Sequence, residues 1–310
     1  MQFWKLHGLG NHFVFVLHED GVDYPRLSQF LCQAQTGVGA DGILSVDLET
    51  APPAVRMWNP DGTEDFCGNG MCCAVKLIQV LRGITVSSLQ TPYGEVEVSG
   101  EEESESVSKV RITIDRPTFD PDAIPLATQF GRRTDTGFDI DVDDRKFSVI
   151  PSSNGNIHSV IFIDEPLEDE FFERYSPKIE THPLFPNKTN VLWCFEKDRQ
   201  LHMRIWERSV GETLSCGTGS AAAVAIFELA ERDLPSPAEV VMRGGTAKVE
   251  LKPEKVELTT KAAIVFQGKL IDFDLQEFLN WEPSKSELGD PNTSKKRKMR
   301  SETNIPFHVD

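Results

Sequence analysis

Arg56-Met57-Trp58-Asn59 leading to Cys67-Gly68-Asn69-Gly70, and Arg204-Ile205-Trp206-Glu207 leading to Cys216-Gly217-Thr218-Gly219, are two versions of one pattern. The arginine stands eleven residues before the cysteine in the first copy and twelve in the second. In both, a strand-like stretch, a turn rich in Gly and Asp or Glu, and Cys-Gly-x-Gly run into a segment of small or apolar residues with helical character. A repeat of this kind is the sequence mark of a duplicated unit, and the chain is expected to be two related lobes.

Working outward, the chain reads mainly as strand. Apolar, alternating or β-branched stretches fall at 13–17, after the Gly-rich turn 7–11, and at 55–58, 94–98, 110–114, 148–150, 160–163, 190–195, 202–206, 240–242, 247–251 and 264–267. Helices are expected at 25–35, 70–82, 168–175 and 219–232, the last on its alanine run. Pro117, Pro121 and Pro125 interrupt the pattern and place a boundary near 116–120. This gives an N-terminal lobe 1–117 with Cys67 and a C-terminal lobe 118–280 with Cys216, the last strand returning to the first lobe. The acidic, Ser-rich segment 99–109 reads as a solvated hairpin loop. Residues 281–310 lose apolar periodicity, and their run Lys295-Lys296-Arg297-Lys298-Met299-Arg300 reads as part of a disordered solubilising tail.

With 310 residues, 39% of them hydrophobic, the chain can bury a large core. A formal charge of −17 argues against nucleic acid and anionic membranes as partners. A small molecule fits better, and a homodimer stays open as the assembly. Six cysteines at irregular spacings do not make a disulfide framework. Free thiols, the lack of a long apolar run and the lack of room for a leader before Lys5 point to the cytoplasm.

A cysteine followed by glycines at a helix start sits where backbone N–H groups converge, an anion site whose positive end is expected to lower a thiol pKa toward neutrality. Two such cysteines suit a reaction needing an acid and a base on opposite faces of a planar carbanion, which is racemisation or epimerisation. Cys72 and Cys73, inside the following helix, read as packing residues. Zinc is disfavoured, because neither a second close cysteine pair nor a matched histidine pair exists. Polar residues on turns, Asn11, Asn59, Asn154, Asn156, His158, Asn190, Glu207 and Arg208, are further candidates. Glu207 and Arg208 together offer an acceptor for an ammonium and a bidentate donor for a carboxylate. His158 and His7 are candidate general acids.

The strings Lys5 to Phe13, Gly37 to Gly42, Asn59 to Glu64, Cys67 to Gly70, Gly155 to His158, Phe185 to Asn190, Glu207 to Thr213 and Cys216 to Gly219, taken in order, closely resemble the diaminopimelate epimerase family. The resemblance implies two pseudo-symmetric α/β lobes, each a curled, mainly antiparallel sheet or barrel around a central helix, with the site between them. It implies chemistry without pyridoxal phosphate or metal. Cys67 and Cys216 fall on the family's catalytic cysteines, with His158 and Glu207 beside them. Gly68, Asn69, Gly217 and Thr218 fall on positions that hold the reacting carboxylate. Asn11, Asn59, Asn156, Asn190, Glu207 and Arg208 fall on those that recognise the rest of the substrate. The activity implied is interconversion of LL- and meso-2,6-diaminoheptanedioate in lysine biosynthesis. A racemase of another amino acid, such as histidine or hydroxyproline, and an idle binding or redox-sensing scaffold are the alternatives. His12 replaces the usual Asp and Ile157 the usual Pro, both expected to border the pocket, and the tail has no family counterpart.

Overall fold

The computed structural model describes residues 1–230, 232 and 234–270, which belong to one compact unit. The expectations for 271–280 and for the tail lie outside the described residues. The described residues form four α-helices: α1 Tyr24–Leu31, α2 Gly68–Arg82, α3 Asp169–Glu180 and α4 Gly217–Leu229. Met71 to Ile78 of α2 and Ser220 to Phe227 of α4 are buried at every position. A helix apolar on all sides needs a wall all round it, and strands supply that wall twice.

The first wall is a closed ring of eight strands. Gln2–Gly8 pairs with Asn11–Leu17, followed by Gly42–Asp47, Ala54–Trp58, Ser88–Thr91, Gly94–Glu102, Val107–Asp115 and Lys255–Lys269. Lys255–Lys269 then pairs back onto Gln2–Gly8. The second wall starts from the same strand and runs through Gly245–Leu251, Ala238–Met242, Gln200–Glu207, Asn190–Lys197, Ile157–Phe162 and Arg145–Ser153. It closes where Thr118 bridges Ser153 and Arg116 N–H donates to Glu254 O at 3.1 Å. The antiparallel pair Val107–Asp115 and Lys255–Lys269 therefore lies between the two rings, with α2 in one and α4 in the other.

Inside these rings, α2 and α4 join one apolar cluster with Phe13, Leu44, Ile112, Leu192 and Leu258. A second cluster lies outside the second ring, under α3. Asn190–Lys197 serves both by its period of two: Leu192 and Cys194 face α4, while Val191 and Trp193 face α3. Trp193 donates its indole N–H to Ser176 at 2.9 Å, and Tyr175 and Ile179 are buried beside it. This packing carries α3 through Pro177 to Glu180, five residues beyond the end expected at 175. All six cysteines are free thiols, with Cys72 and Cys73 buried in the core as packing residues.

Three expectations change. Gly42–Asp47 is a strand that the sequence reading did not single out; its short apolar run is buried on both faces and so carries no alternation. The acidic segment 99–109 is mostly strand, and it closes an end of the first ring. Buried Lys76 reaches Glu102 Oε1 at 3.3 Å and Ser104 O at 3.1 Å, while Ser108 donates to Gln79 at 2.7 Å. Ile157, expected at the border of the pocket, is buried with its side chain packed in the α3 cluster.

The Leu9-Gly10 turn of the first half rests on the second half. A Cβ on Gly244 would lie 1.8 Å from Leu9 O, and Gly244 N–H donates to Leu214 O at 2.8 Å. Gly244→Ala is expected to destabilise the fold by about 1–3 kcal/mol through overpacking. Urea denaturation reads this directly, and an unchanged midpoint would show that the halves do not depend on this contact.

Candidate active site

The two cysteines occupy the same structural position. Each is the N-cap residue of its helix, Cys67 with φ −136° and ψ 116°, Cys216 with φ −142° and ψ 112°. The glycine that follows each is dictated by packing. A Cβ on Gly68 would come within 3.0 Å of Ile112 Cδ1, and one on Gly217 within 2.7 Å of Leu258 Cδ2. Ile112 and Leu258 are direct partners in the shared strand pair. The ladder that joins the rings thus seats both helix N-termini against one point, where a side chain in place of either glycine would have to push Ile112 or Leu258 aside. Asn69 Nδ2 crosses between the halves to Ser215 Oγ at 3.1 Å.

The arginines of the repeat acquire a structural reason. Arg56 holds Glu64 through two bonds of 2.7 and 2.9 Å, and Arg204 holds Glu212 through two of 2.8 and 3.1 Å. Each bidentate pair ties a strand to the short return strand before the cysteine, Glu64–Asp65 or Gly211–Thr213. The turn so pinned carries Asn59 in one half and Glu207-Arg208 in the other. Asn59 donates to Thr63 at 3.1 Å and Asp65 at 3.3 Å.

Around Cys67, the thiol donates to Asn11 Oδ1 at 3.4 Å, and Asn69 Nδ2 reaches the same oxygen at 3.4 Å. Around Cys216, Gly219 N–H donates to the sulfur at 3.4 Å and Thr218 Oγ1 stands 3.5 Å away. Asn154 donates to Thr218 O at 3.2 Å. His158 is register partner to Asn190, whose Nδ2 lies 3.3 Å from His158 Nδ1. Asn190 Oδ1 accepts Arg208 N–H at 2.8 Å. That bond turns the amide nitrogen toward the imidazole, so Nδ1 accepts and the proton sits on Nε2. The Nε2 atom is buried without a partner, as are Asn69 Oδ1 and Asn154 Oδ1. Unmet buried polar atoms are uncommon in a finished core, and these three, with Thr213 Oγ1 on the short strand before Cys216, fall on segments around the thiols. Arg208 is exposed and Asn156 partly so, on the turn made by Gly155. His7 lies apart, opposite His12 in the first hairpin.

The electrostatics overturn one expectation. Helix N-termini were expected to draw the thiols toward neutrality, but burial dominates. It pushes Cys67 up to about 12, with the Glu207 charge adding to the rise and the Gly70 and Asn69 N–H groups only partly opposing it. Burial also raises Cys216, again helped by Glu207 and opposed by Thr218 and Gly219. Helix-end effects reach about 2 kcal/mol at most, whereas full burial moves a group by several pH units. Without ligand both sulfurs are thiols. Glu207 is itself raised by burial, with the nearby Thr213 and Cys216 opposing the rise. Asp41, Asp65 and Ser215 escaped the sequence reading as site residues. Their only signal was position: Asp41 in Gly37 to Gly42, Asp65 and Ser215 within two residues of a cysteine.

Among the described residues no three His, Cys, Asp or Glu side chains converge as a metal site, and no helix is long and apolar enough to cross a membrane. Duplicated rings with an N-capping thiol on each enclosed helix define a two-thiol scaffold. The diaminopimelate epimerase family model matches residues 3–119 and 152–265. The diaminopimelate epimerase of Desulfitobacterium hafniense is 36% identical over 283 residues, covering 88% of this chain and 99% of its own. That of Desulforapulum autotrophicum is 36% identical over 286 residues, covering 87% and 99%. This chain belongs to the diaminopimelate epimerase family. Among solved structures, a phenazine biosynthesis protein of the PhzF family from Bacillus anthracis superposes with a TM-score of 0.59 at 17% identity, covering 87% of this chain and 99% of its own. A probable proline racemase from Agrobacterium radiobacter does so with 0.59 at 12%, covering 88% and 93%. These two speak for the fold alone.

Burial pulls His158 down to about 3, with the Arg208 charge adding to the fall. The unfolded chain, with an ordinary histidine near 6.5, therefore binds a proton that the native state does not between about pH 6.5 and 3. Stability contributed by neutral His158 is present above that window and is lost as pH falls through it. His158→Gln is expected to remove up to about one proton, or 1.4 kcal/mol per pH unit, from the acid limb of stability. Urea midpoints measured from pH 7 to about 4 test this; parallel limbs for the two proteins would refute it.

Proposed function

We propose that this chain epimerises LL-2,6-diaminoheptanedioate to the meso form with Cys67 and Cys216 alone as proton carriers. The observation that carries the reading is the pair of N-capping cysteines in matched conformation on adjacent helix ends, within a chain of this family. In the scheme, one sulfur as thiolate takes the α-proton and the other as thiol returns one from the opposite face. The N–H groups at Gly68-Asn69 and Gly217-Thr218 receive the reacting carboxylate and stabilise the charge that spreads onto it. Since both thiols rest protonated, one of them must give its proton to solvent as the substrate binds, and the thiolate so formed is held beside the cationic α-ammonium once water is displaced. Glu207 accepts from that ammonium, and the unpaired His158 Nε2–H is a donor for the ligand. Asn59, Asn156, Asn190 and Arg208 support a substrate with a second amino-acid end. The reading extends to lysine biosynthesis in the cytoplasm, without pyridoxal phosphate. The N-terminal lobe, with the strand Lys255–Lys269 returned to it, and the C-terminal lobe would close on the substrate.

Cys67→Ala and Cys216→Ala are each expected to lower epimerisation by at least about 10³-fold, as loss of an acid–base group does. Proton NMR in D2O on dialysed protein, offering diaminopimelate beside histidine, lysine, proline and glutamate, reads both reaction and substrate. Deuterium entering diaminopimelate alone supports the proposal, exchange of another amino acid keeps the thiols and changes the substrate, and full turnover by either alanine variant sinks the two-thiol scheme.

A further inference from the structure

Asp41 precedes the strand Gly42–Asp47, and its N–H donates to His12 O at 2.8 Å. Its carboxylate meets only donors. Oδ2 accepts Asn11 Nδ2 at 2.6 Å and His12 N–H at 2.8 Å, and Oδ1 stands 3.6 Å from His12 Nε2. Lys5 Nζ lies 2.7 Å from His12 Nδ1 and also donates to Gly39 O. A lysine ammonium can only donate, so Nδ1 accepts and the imidazole proton faces Asp41.

This arrangement settles an amide orientation that distance alone leaves open. A carboxylate has no proton to give at neutral pH, so Asn11 must turn its nitrogen to Asp41 and its oxygen to Cys67 and Asn69. An amide oxygen against a sulfur accepts S–H and opposes S⁻; an amide nitrogen would do the reverse.

We propose that Asp41 is a positioning residue that fixes the Asn11 amide and so holds Cys67 in its thiol form in the resting enzyme. It touches neither thiol and acts through Asn11. His12 is held between Lys5 and Asp41 and steadies the carboxylate from its far side. The proposal rests on the reading of Cys67 as a proton carrier. Its test, however, reads the sulfur without substrate, so its failure is separate from failure of the epimerase reading.

The test is the rate of Cys67 carbamidomethylation by iodoacetamide, followed by peptide mass spectrometry between about pH 7 and 9, where the rate tracks the thiolate fraction. In Asp41→Ala the Asn11 amide is free to turn its nitrogen to the sulfur. The Cys67 rate is expected to rise about tenfold, equivalent to one pH unit, with Cys216 unchanged. Glu207 and Asp65, whose charges also act on Cys67, and the neutral Cys73 thiol beside it stay in place. In Asp41→Asn a single carbonyl oxygen still accepts both donors, and the wild-type rate is expected. On an Asn11→Ala background, Asp41→Ala is expected to add nothing. An unchanged Cys67 rate in Asp41→Ala, an equal rise at Cys216, an Asp41→Asn rate matching Asp41→Ala, or a rise that persists without Asn11 would each overturn the proposal.

Discussion

Everything in this molecule depends on the ladder between Val107–Asp115 and Lys255–Lys269. It is the common wall of two rings, and each ring encloses a helix too apolar to face water. Because the wall is shared, the enclosed helices are neighbours, and because Ile112 and Leu258 oppose Gly68 and Gly217, their N-termini are the parts that approach. The position of both sulfurs is thus a consequence of core packing before any ligand is considered. The two bidentate Arg–Glu pairs then fix the turns in front of the cysteines, so each half delivers its polar residues to the same place.

That geometry sets one tension the chemistry must resolve. Helix ends favour a thiolate, and the surrounding protein disfavours it more strongly. A site of this kind is quiet when empty. In the proposed scheme a bound zwitterion changes the balance by bringing its own positive charge next to Glu207 and the sulfurs. The unsatisfied atoms of Asn69, Asn154 and His158 mark where the fold leaves polar groups for something other than itself.

Much of this was legible in the sequence, and the illegible parts share a cause. The repeat, the helices behind each cysteine and most strands follow from local pattern. The strand Gly42–Asp47 did not stand out because burial on both faces erases alternation. The α3 helix continues past Pro177 because Trp193 and Ser176 meet across sequence. Asp41 gives no local hint of its bond to Asn11, thirty residues earlier. The direction of the cysteine shifts was misjudged for the same reason: a helix end is visible in a motif, whereas the depth at which it lies is a property of the assembled rings.

The strand Lys255–Lys269 also has a meaning for biosynthesis. The first ring needs it to close the gap between Val107–Asp115 and Gln2–Gly8, so a nascent chain that has emerged through both catalytic-motif cysteines still has an open N-terminal sheet with two unpaired edges. Neither half can finish first. Such an edge invites wrong partners while synthesis continues, and the halves mature together when the last strand inserts. In this arrangement the two units of the repeat share one closure, and that closure sets both thiols in place in one step.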